Sequence, residues 1–160
     1  LTFGAGQLGQ LGRQLTHNTD ASGLPVDPSP REAPHDHNVE MRKLGGAFYN
    51  TFAICKSNNL YCTGENQNKQ CGEGPRNLQR LTLVKEVANV DQVEGGYCHT
   101  LIKTIAGKVY SMGCGDDGQR GDGDPDAEAG RAVVTPVEIP VPVTQVAAGA
   151  NHSVVLGKNG

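Results

Sequence analysis

The sequence predicts an all-β chain that repeats one small antiparallel sheet, and three observations predict it. A glycine-rich loop returns: Gly4-Ala5-Gly6-Gln7-Leu8-Gly9-Gln10-Leu11-Gly12 recurs from Gly64 to Gly72 and from Gly113 to Gly121, at offsets of 60 and 49 residues. A second block keeps step with it: Leu44-Gly45-Gly46-Ala47-Phe48-Tyr49 parallels Glu94-Gly95-Gly96-Tyr97-Cys98-His99 and Ala147-Ala148-Gly149-Ala150-Asn151-His152. Blocks in fixed order, about 50 residues apart, mean one supersecondary unit used several times. Composition agrees, because 22 glycines and 36% hydrophobic residues suit short strands and tight turns better than a helical bundle.

In the opening unit, Gly4, Gln10 and Gly12 belong to the repeated loop. The stretch from Arg13 to Asn38 is longer than its counterparts and carries Pro25, Pro28, Pro30 and Pro34, so it is expected to be extended and poorly packed. His35 and His37 flank Asp36 within it. They would face opposite sides of an extended segment with no third ligand near, which favours a polar contact loop over a metal site.

The second unit repeats Gly64, Gln70 and Gly72 but places Lys69 where the other loops have Gly9 and Gly118. Either that place accepts a side chain or this loop differs. Gly6, Asn66 and Gly115 share another place, where a positive φ is expected. Arg76 and Arg80, in the second unit's loop, are candidate partner contacts of opposite sign to the acidic loop of the next unit.

The third unit reads most clearly. Val90 to Glu94 is a β-prone run, His99 to Thr104 a strand, Ala106-Gly107 a two-residue turn, and Lys108 to Met112 the return strand. Gly113, Gln119 and Gly121 mark the loop, and Val133 to Ile139 makes a last strand that Pro136 confines to an edge. Alternation in these strands is weak, as expected where both faces are covered. Four short strands with an edge strand outermost is the pattern of a propeller blade. The units are expected at 1–38 (partial), 39–89, 90–142 and 143–160 (partial), within one partial propeller over 1–160.

Recurring residues read as structural, and those occurring once as functional. Gln10, Gln70 and Gln119 can both donate and accept, which suits them to tying loop backbone together. His99 and His152 are expected to bond the blade interior. Asp116 to Glu128 holds six carboxylates (Asp116, Asp117, Asp122, Asp124, Asp126 and Glu128) against Arg120, a local charge of −5, and could attract a basic partner surface. Asp122-x-Asp124-x-Asp126 opens like a calcium loop, but Ala127 replaces the turn glycine and Val133 the bidentate Glu, so no calcium is expected.

The string Gly-x-Gly-x-x-Gly, at Gly4 and Gly113, is followed by Gln and Gly rather than a helix, so it does not read as a nucleotide site. Asn151-His152-Ser153 spells a glycosylation sequon at a strand start, where burial would leave it unmodified. Cys55, Cys62, Cys71, Cys98 and Cys114 stand in no Cys-x-x-Cys spacing and are expected to be free thiols in a reducing compartment. No catalytic residue, cofactor or metal is expected. A net charge of −3 gives no global attraction to nucleic acid or anionic lipid, and no apolar run is long enough to cross a bilayer as a helix.

Val146-Ala-Ala-Gly-Ala-Asn-His-Ser153 and Val109-Tyr-Ser-Met-Gly-Cys-Gly-Asp-Asp-Gly-Gln-Arg-Gly121 resemble the two halves of the regulator of chromosome condensation repeat. The family's tryptophan position falls on Phe3, Thr63 and Met112, and Tyr49 stands where His99 and His152 do. The resemblance implies a seven-bladed propeller of four-stranded blades, of which this chain holds about three units. Leu1 falls at the phase of Tyr110 and Gly160 at that of Gly107, both inside a hairpin, so the chain is expected to be part of a longer propeller.

It also implies function: a non-enzymatic scaffold that holds other proteins in a large assembly, or, after the founding member, guanine nucleotide exchange on a Ran-type small GTPase with chromatin association. Partners are then proteins rather than nucleic acid or membrane. The compartment is the cytoplasm or nucleus, with mitochondrial and ciliary relatives in the family.

Overall fold

The computed structural model describes residues 1–15, 18–34, 38–123 and 134–160, and the described chain contains strands and turns but no helix. Its strands are β1 (Thr2–Ala5), β2 (Val26–Arg31), β3 (Met41–Gly46), β4 (Asn50–Cys55), β5 (Leu60–Glu65), β6 (Asn77–Leu83), β7 (Val90–Gly95), β8 (His99–Thr104), β9 (Val109–Gly113), β10 (Thr135–Val137), β11 (Val143–Ala148) and β12 (Ser153–Gly157). They form two complete four-stranded meanders, β3-β4-β5-β6 and β7-β8-β9-β10, and two antiparallel pairs, β1-β2 and β11-β12.

The meanders stack face to face. β7 packs against β3 and β4, and β11 against β7 and β8. Ile102 of β8 joins one buried cluster with Phe52, Ile54, Leu60, Val93 and Met112. Its neighbour Leu101 points the other way, into a second cluster with Val109, Val143 and Val146. Both faces of β8 are therefore covered, which explains its weak alternation. Each such side chain contributes about 1.5–3 kcal/mol by leaving water.

The first strand of each unit carries an irregularity at the same place, between Met41 and Lys43, Val90 and Gln92, and Val143 and Gln145. A bulge there re-aims the extra residue. In β7 that residue is Asp91, which reaches back to Lys43 of the preceding sheet at 2.7 Å and to Lys103 of its own. At the next joint Gln92 replaces the ion pairs, its side chain bonding Val146 N (3.1 Å) and Val146 O (2.9 Å).

Several expectations are corrected here. The turn between β8 and β9 encloses three residues, Ile105 to Gly107, rather than two: Thr104 N bonds Lys108 O, and Gly107, at φ +76°, closes the turn on Thr104 O. Asn58 takes the same role at φ +63°. The proline-rich stretch after Arg13 is not uniformly loose, because β2 lies within it and pairs with β1. Pro28 and Pro30 are compatible with an edge strand, whose outer donors need no partner. Asp27 of β2 is buried against Arg13 at 3.0 Å. The Ser29 amide, with Arg13 and Arg31, holds its carboxyl below the usual range.

The cysteines are not all free. Cys62 pairs with Cys71 and Cys98 with Cys114, each with Cα atoms 5.6 Å apart, and Cys55 alone stays a thiol. The turns and glycine-rich loops bring these cysteines together without any Cys-x-x-Cys spacing, so the thiol argument for a reducing compartment no longer holds.

Candidate functional site

The repeated loops are built from two successive turns. Gly6, Asn66 and Gly115 offer their carbonyls to the amides of Gly9, Lys69 and Gly118, whose own carbonyls accept from Gly12, Gly72 and Gly121. The positive φ falls on the residues that close each turn, and not on Gly6, Asn66 and Gly115 as expected. A residue opening such a turn has ordinary backbone geometry. Lys69 settles the alternative at its place: the backbone shape is kept, and the lysine takes φ +63°.

Within each loop the glutamine carbonyl caps a backbone amide. Gln10, Gln70 and Gln119 Oε1 accept from Leu8, Asn68 and Asp117 N at 2.9, 3.0 and 2.8 Å. The main-chain carbonyl of the same glutamine accepts a hydroxyl from the next sheet: Thr51 to Gln10 O (2.8 Å), Thr100 to Gln70 O (2.7 Å), Ser153 to Gln119 O (2.6 Å). This joint between units went unread in the sequence, although a Thr, Thr or Ser recurs at the start of every second strand.

Strand register corrects the residue equivalent to the histidines. Gly46 pairs with Thr51 and Gly95 with Thr100, so Asn50, not Tyr49, corresponds to His99. Asn50 Nδ2 donates to Glu65 O at 2.6 Å. His99 is buried, with Nε2 3.1 Å from Ser153 Oγ, and burial, then the nearby His152, pushes its pKa down. His152 is exposed, and so is Asn151 of the sequon, contrary to its expected burial.

Tyr49 and Phe48 sit instead at the tip of the β3–β4 turn, and Tyr97 at the corresponding tip between β7 and β8. Phe48 lies 4.6 Å from Tyr49 and 5.1 Å from Tyr97, and Tyr49 lies 6.4 Å from Tyr97, between ring centres. Phe48 is 64% exposed and Tyr97 48%. Backbone bonds from Phe48 N to Gly96 O and from Tyr97 N to Ala150 O zip adjacent tips together. The glycine-rich loops leave the sheets at this same end, since Glu65 N bonds Tyr49 O and Cys114 N bonds Cys98 O. The signal that could have found this patch was aromatic residues at matching turn positions in a chain with only 4% aromatics.

Asp116 and Asp117 are exposed on the loop that the Cys98–Cys114 disulfide ties to the β7–β8 turn, two and three residues past Cys114. Asp122 turns inward and pairs with buried Arg120. Arg76 is exposed in the neighbouring loop and donates to Gln67. Arg80 is exposed on edge strand β6. Asp124, Asp126, Glu128, His35 and His37 fall outside the described residues. Among the described residues no group of three or more His, Cys, Asp or Glu is placed to hold a metal ion.

Repeated four-stranded meanders, stacked face to face with their first strands in contact and their fourth strands at the edge, define blades of a β-propeller. Residues 106–156 and 90–119 match the Regulator of chromosome condensation (RCC1) repeat. The chain belongs to the RCC1 repeat family. It is 30% identical over 180 aligned residues to Protein pim1 of Schizosaccharomyces pombe, covering 99% of this chain and 32% of that protein. It is 32% identical over 176 residues to Guanine nucleotide exchange factor SRM1 of Saccharomyces cerevisiae, covering 99% of this chain and 35% of that one. The chain thus spans about a third of the length of these relatives. Among solved structures, yeast RCC1 (Prp20) bound to Kap60 superposes with a TM-score of 0.74 at 26% identity, covering 99% of this chain and 37% of that one.

Proposed function

We propose that this chain is part of a non-catalytic propeller that binds other proteins through one rim. The observation that carries the reading is a division of labour. The recurring Gln10, Gln70 and Gln119 are spent on holding loops and joining blades. Phe48, Tyr97, Asp116 and Asp117 occupy turns and loops of one rim, and their side chains stay exposed. Rigid scaffolds carrying varied loops are suited to binding. Affinity capture from native extracts, with the intact parent protein as bait, tests this. Stable recovery within one assembly supports it, and absence of any stoichiometric partner overturns it.

A second reading is guanine nucleotide exchange on a Ran-type GTPase. It is favoured by the full-length alignment of this chain with SRM1, whose name states that activity. Release of labelled GDP from Ran, accelerated by the parent protein, would replace the first reading with this one.

A further inference from the structure

The exposed aromatics are the feature that the blade plan does not require. The third turn of the set carries Ala150 and Asn151 where the other two carry Phe48-Tyr49 and Tyr97-Cys98, and it forms the same backbone bonds. Leaving large aromatic faces in water gains a free protein nothing, and a clustered, exposed apolar patch marks a contact surface. The patch is also rigid. The tips are joined by Phe48 N–Gly96 O and Tyr97 N–Ala150 O, and Tyr97 is followed by the Cys98–Cys114 disulfide. A surface ordered in advance loses little entropy on binding.

Charge selects the occupant. Asp116 and Asp117 lie just past Cys114, and no ion pair or side-chain hydrogen bond engages either carboxylate among the described residues. The nearby cations lie on neutral acceptors of their own loop and pair with neither carboxylate. Lys69 Nζ donates to Gly74 O at 2.9 Å and Arg76 to Gln67. An aromatic patch with unpaired carboxylates on the same rim attracts cations, and repels the phosphates that a stacked nucleic acid would bring. Arginine suits it best, because its flat guanidinium both stacks on rings and pairs with carboxylates.

We propose that this rim receives a basic segment of a partner protein, one arginine lying on the Phe48–Tyr49–Tyr97 rings and a neighbouring basic residue pairing with Asp116 and Asp117. The proposal rests on the protein-binding reading above and names the partner's chemistry. Neutral apolar segments and single-stranded nucleic acid are the competing occupants.

The probe is a fluorescein-labelled peptide alternating glycine and arginine, with a citrulline counterpart that keeps the shape and removes the charge. Fluorescence anisotropy with the intact protein over a salt series gives the affinities. The expected result is arginine binding at least about tenfold tighter than citrulline binding, an about tenfold loss in Phe48→Ala/Tyr97→Ala, and an about threefold loss with a flatter salt dependence in Asp116→Asn/Asp117→Asn.

Equal affinity for the two peptides, no saturable arginine binding, or indifference to the aromatic substitutions would overturn the proposal. Tighter binding of a leucine peptide, or of an oligothymidylate, at the same residues would also overturn it and identify the occupant. If the double alanine variant fails to fold, Tyr97→Lys serves instead, since it repels a cation and keeps a long side chain. Partner capture that survives Phe48→Ala/Tyr97→Ala defeats this proposal and leaves the protein-binding reading standing, whereas capture that recovers no partner defeats that reading.

Discussion

The β3–β6 blade and the β7–β10 blade hold the same backbone bonds in corresponding places with different side chains at them. Where one has Asn50, donating to Glu65 O, the other has the buried ring of His99. Where one has Thr63, with its hydroxyl 2.9 Å from Gly9 O and 2.7 Å from Leu78 O, the other has Met112 packed among apolar neighbours. One disulfide ties β5 to its own loop and the other ties a turn to the following loop. The difference teaches that the blade is specified by its backbone turns and by bonds between main-chain groups. Side chains at the anchoring positions are exchangeable, provided that each meets the polar or apolar demand of its own pocket.

Breaking what the blades share should have the largest effect, and the same effect in both. Gly64 and Gly113 sit at φ +113° and +101°, and a Cβ there would stand 2.0 Å from Tyr49 O and 2.3 Å from Cys98 O. Neither contact is with a side chain that can move aside. Gly64→Ala and Gly113→Ala are each expected to destabilise by about 3 kcal/mol or more, from backbone strain plus collision. Urea unfolding checks this. A loss below about 1 kcal/mol in either blade would mean that the turns are not the common determinant.

Exchanging an anchor should cost less and depend on the blade. Met112→Thr places a hydroxyl in an apolar pocket and leaves a void, so a loss of about 2–4 kcal/mol is expected. Thr63→Val keeps the shape of its side chain and removes the hydroxyl shared with Gly9 O and Leu78 O, for an expected loss of about 1–2 kcal/mol. Equal losses would mean that the two pockets are not distinct in kind.

The two joints between blades differ in the same manner, and pH separates them. Asp91 is held down to about 2 by hydrogen bonds from Lys103 and then Lys43, against desolvation. Arg42, 3.9 Å away, adds a further cation. Its folded value lies below the usual unfolded value of about 3.9, so this contribution is complete above about pH 4. It is lost as pH falls through about 2. The Gln92–Val146 bonds join neutral groups, with Gln92 Nε2 also donating to Glu94 Oε1 at 3.0 Å. Asp91→Asn should therefore lower stability by about 1–2 kcal/mol at neutral pH, after allowance for its partial exposure, and by little at pH 2. A loss independent of pH over this window would assign the joint to packing instead.

How much of this was legible in the sequence depended on whether a residue repeats. The loops, the edge strand with Pro136 and the two-sided burial of β8 follow from period and composition, because the same backbone demand is written three times. The histidine position slipped by one residue. Gly45-Gly46 and Gly95-Gly96 invite an alignment of pair with pair, while the strand pairing sets Gly46 against Gly95. The disulfides were hidden because Cys62 and Cys98 occupy different places in the unit, so no repetition points to them. Phe48 and Tyr97 repeat in kind at a variable position, a signal that is missed if loops are judged by carboxylates alone. The acidic loop itself contributes Asp116 and Asp117 to the rim, while Asp122 serves inside it, paired with Arg120.

The smallest difference between the blades is the sharpest test of the rule that backbone turns come first. Lys69 and Gly118 close the same turn, at φ +63° and +74°. A side chain in the left-handed region costs about 1 kcal/mol relative to glycine, from crowding between Cβ and the following carbonyl. Lys69 recovers part of that by donating to Gly74 O at 2.9 Å. At Gly118 no atom lies within 4 Å of the place a Cβ would take, so a lysine there would meet no clash. Gly118→Lys should then lose about 1 kcal/mol, the conformational cost alone. Lys69→Gly removes the strain and the ammonium bond together, and frees the unfolded chain, so its net change should fall within about 0.5 kcal/mol of zero. Thermal unfolding of the two variants distinguishes the terms. A loss in Lys69→Gly as large as that in Gly118→Lys would show that the lysine bond, and not the turn, fixes this loop.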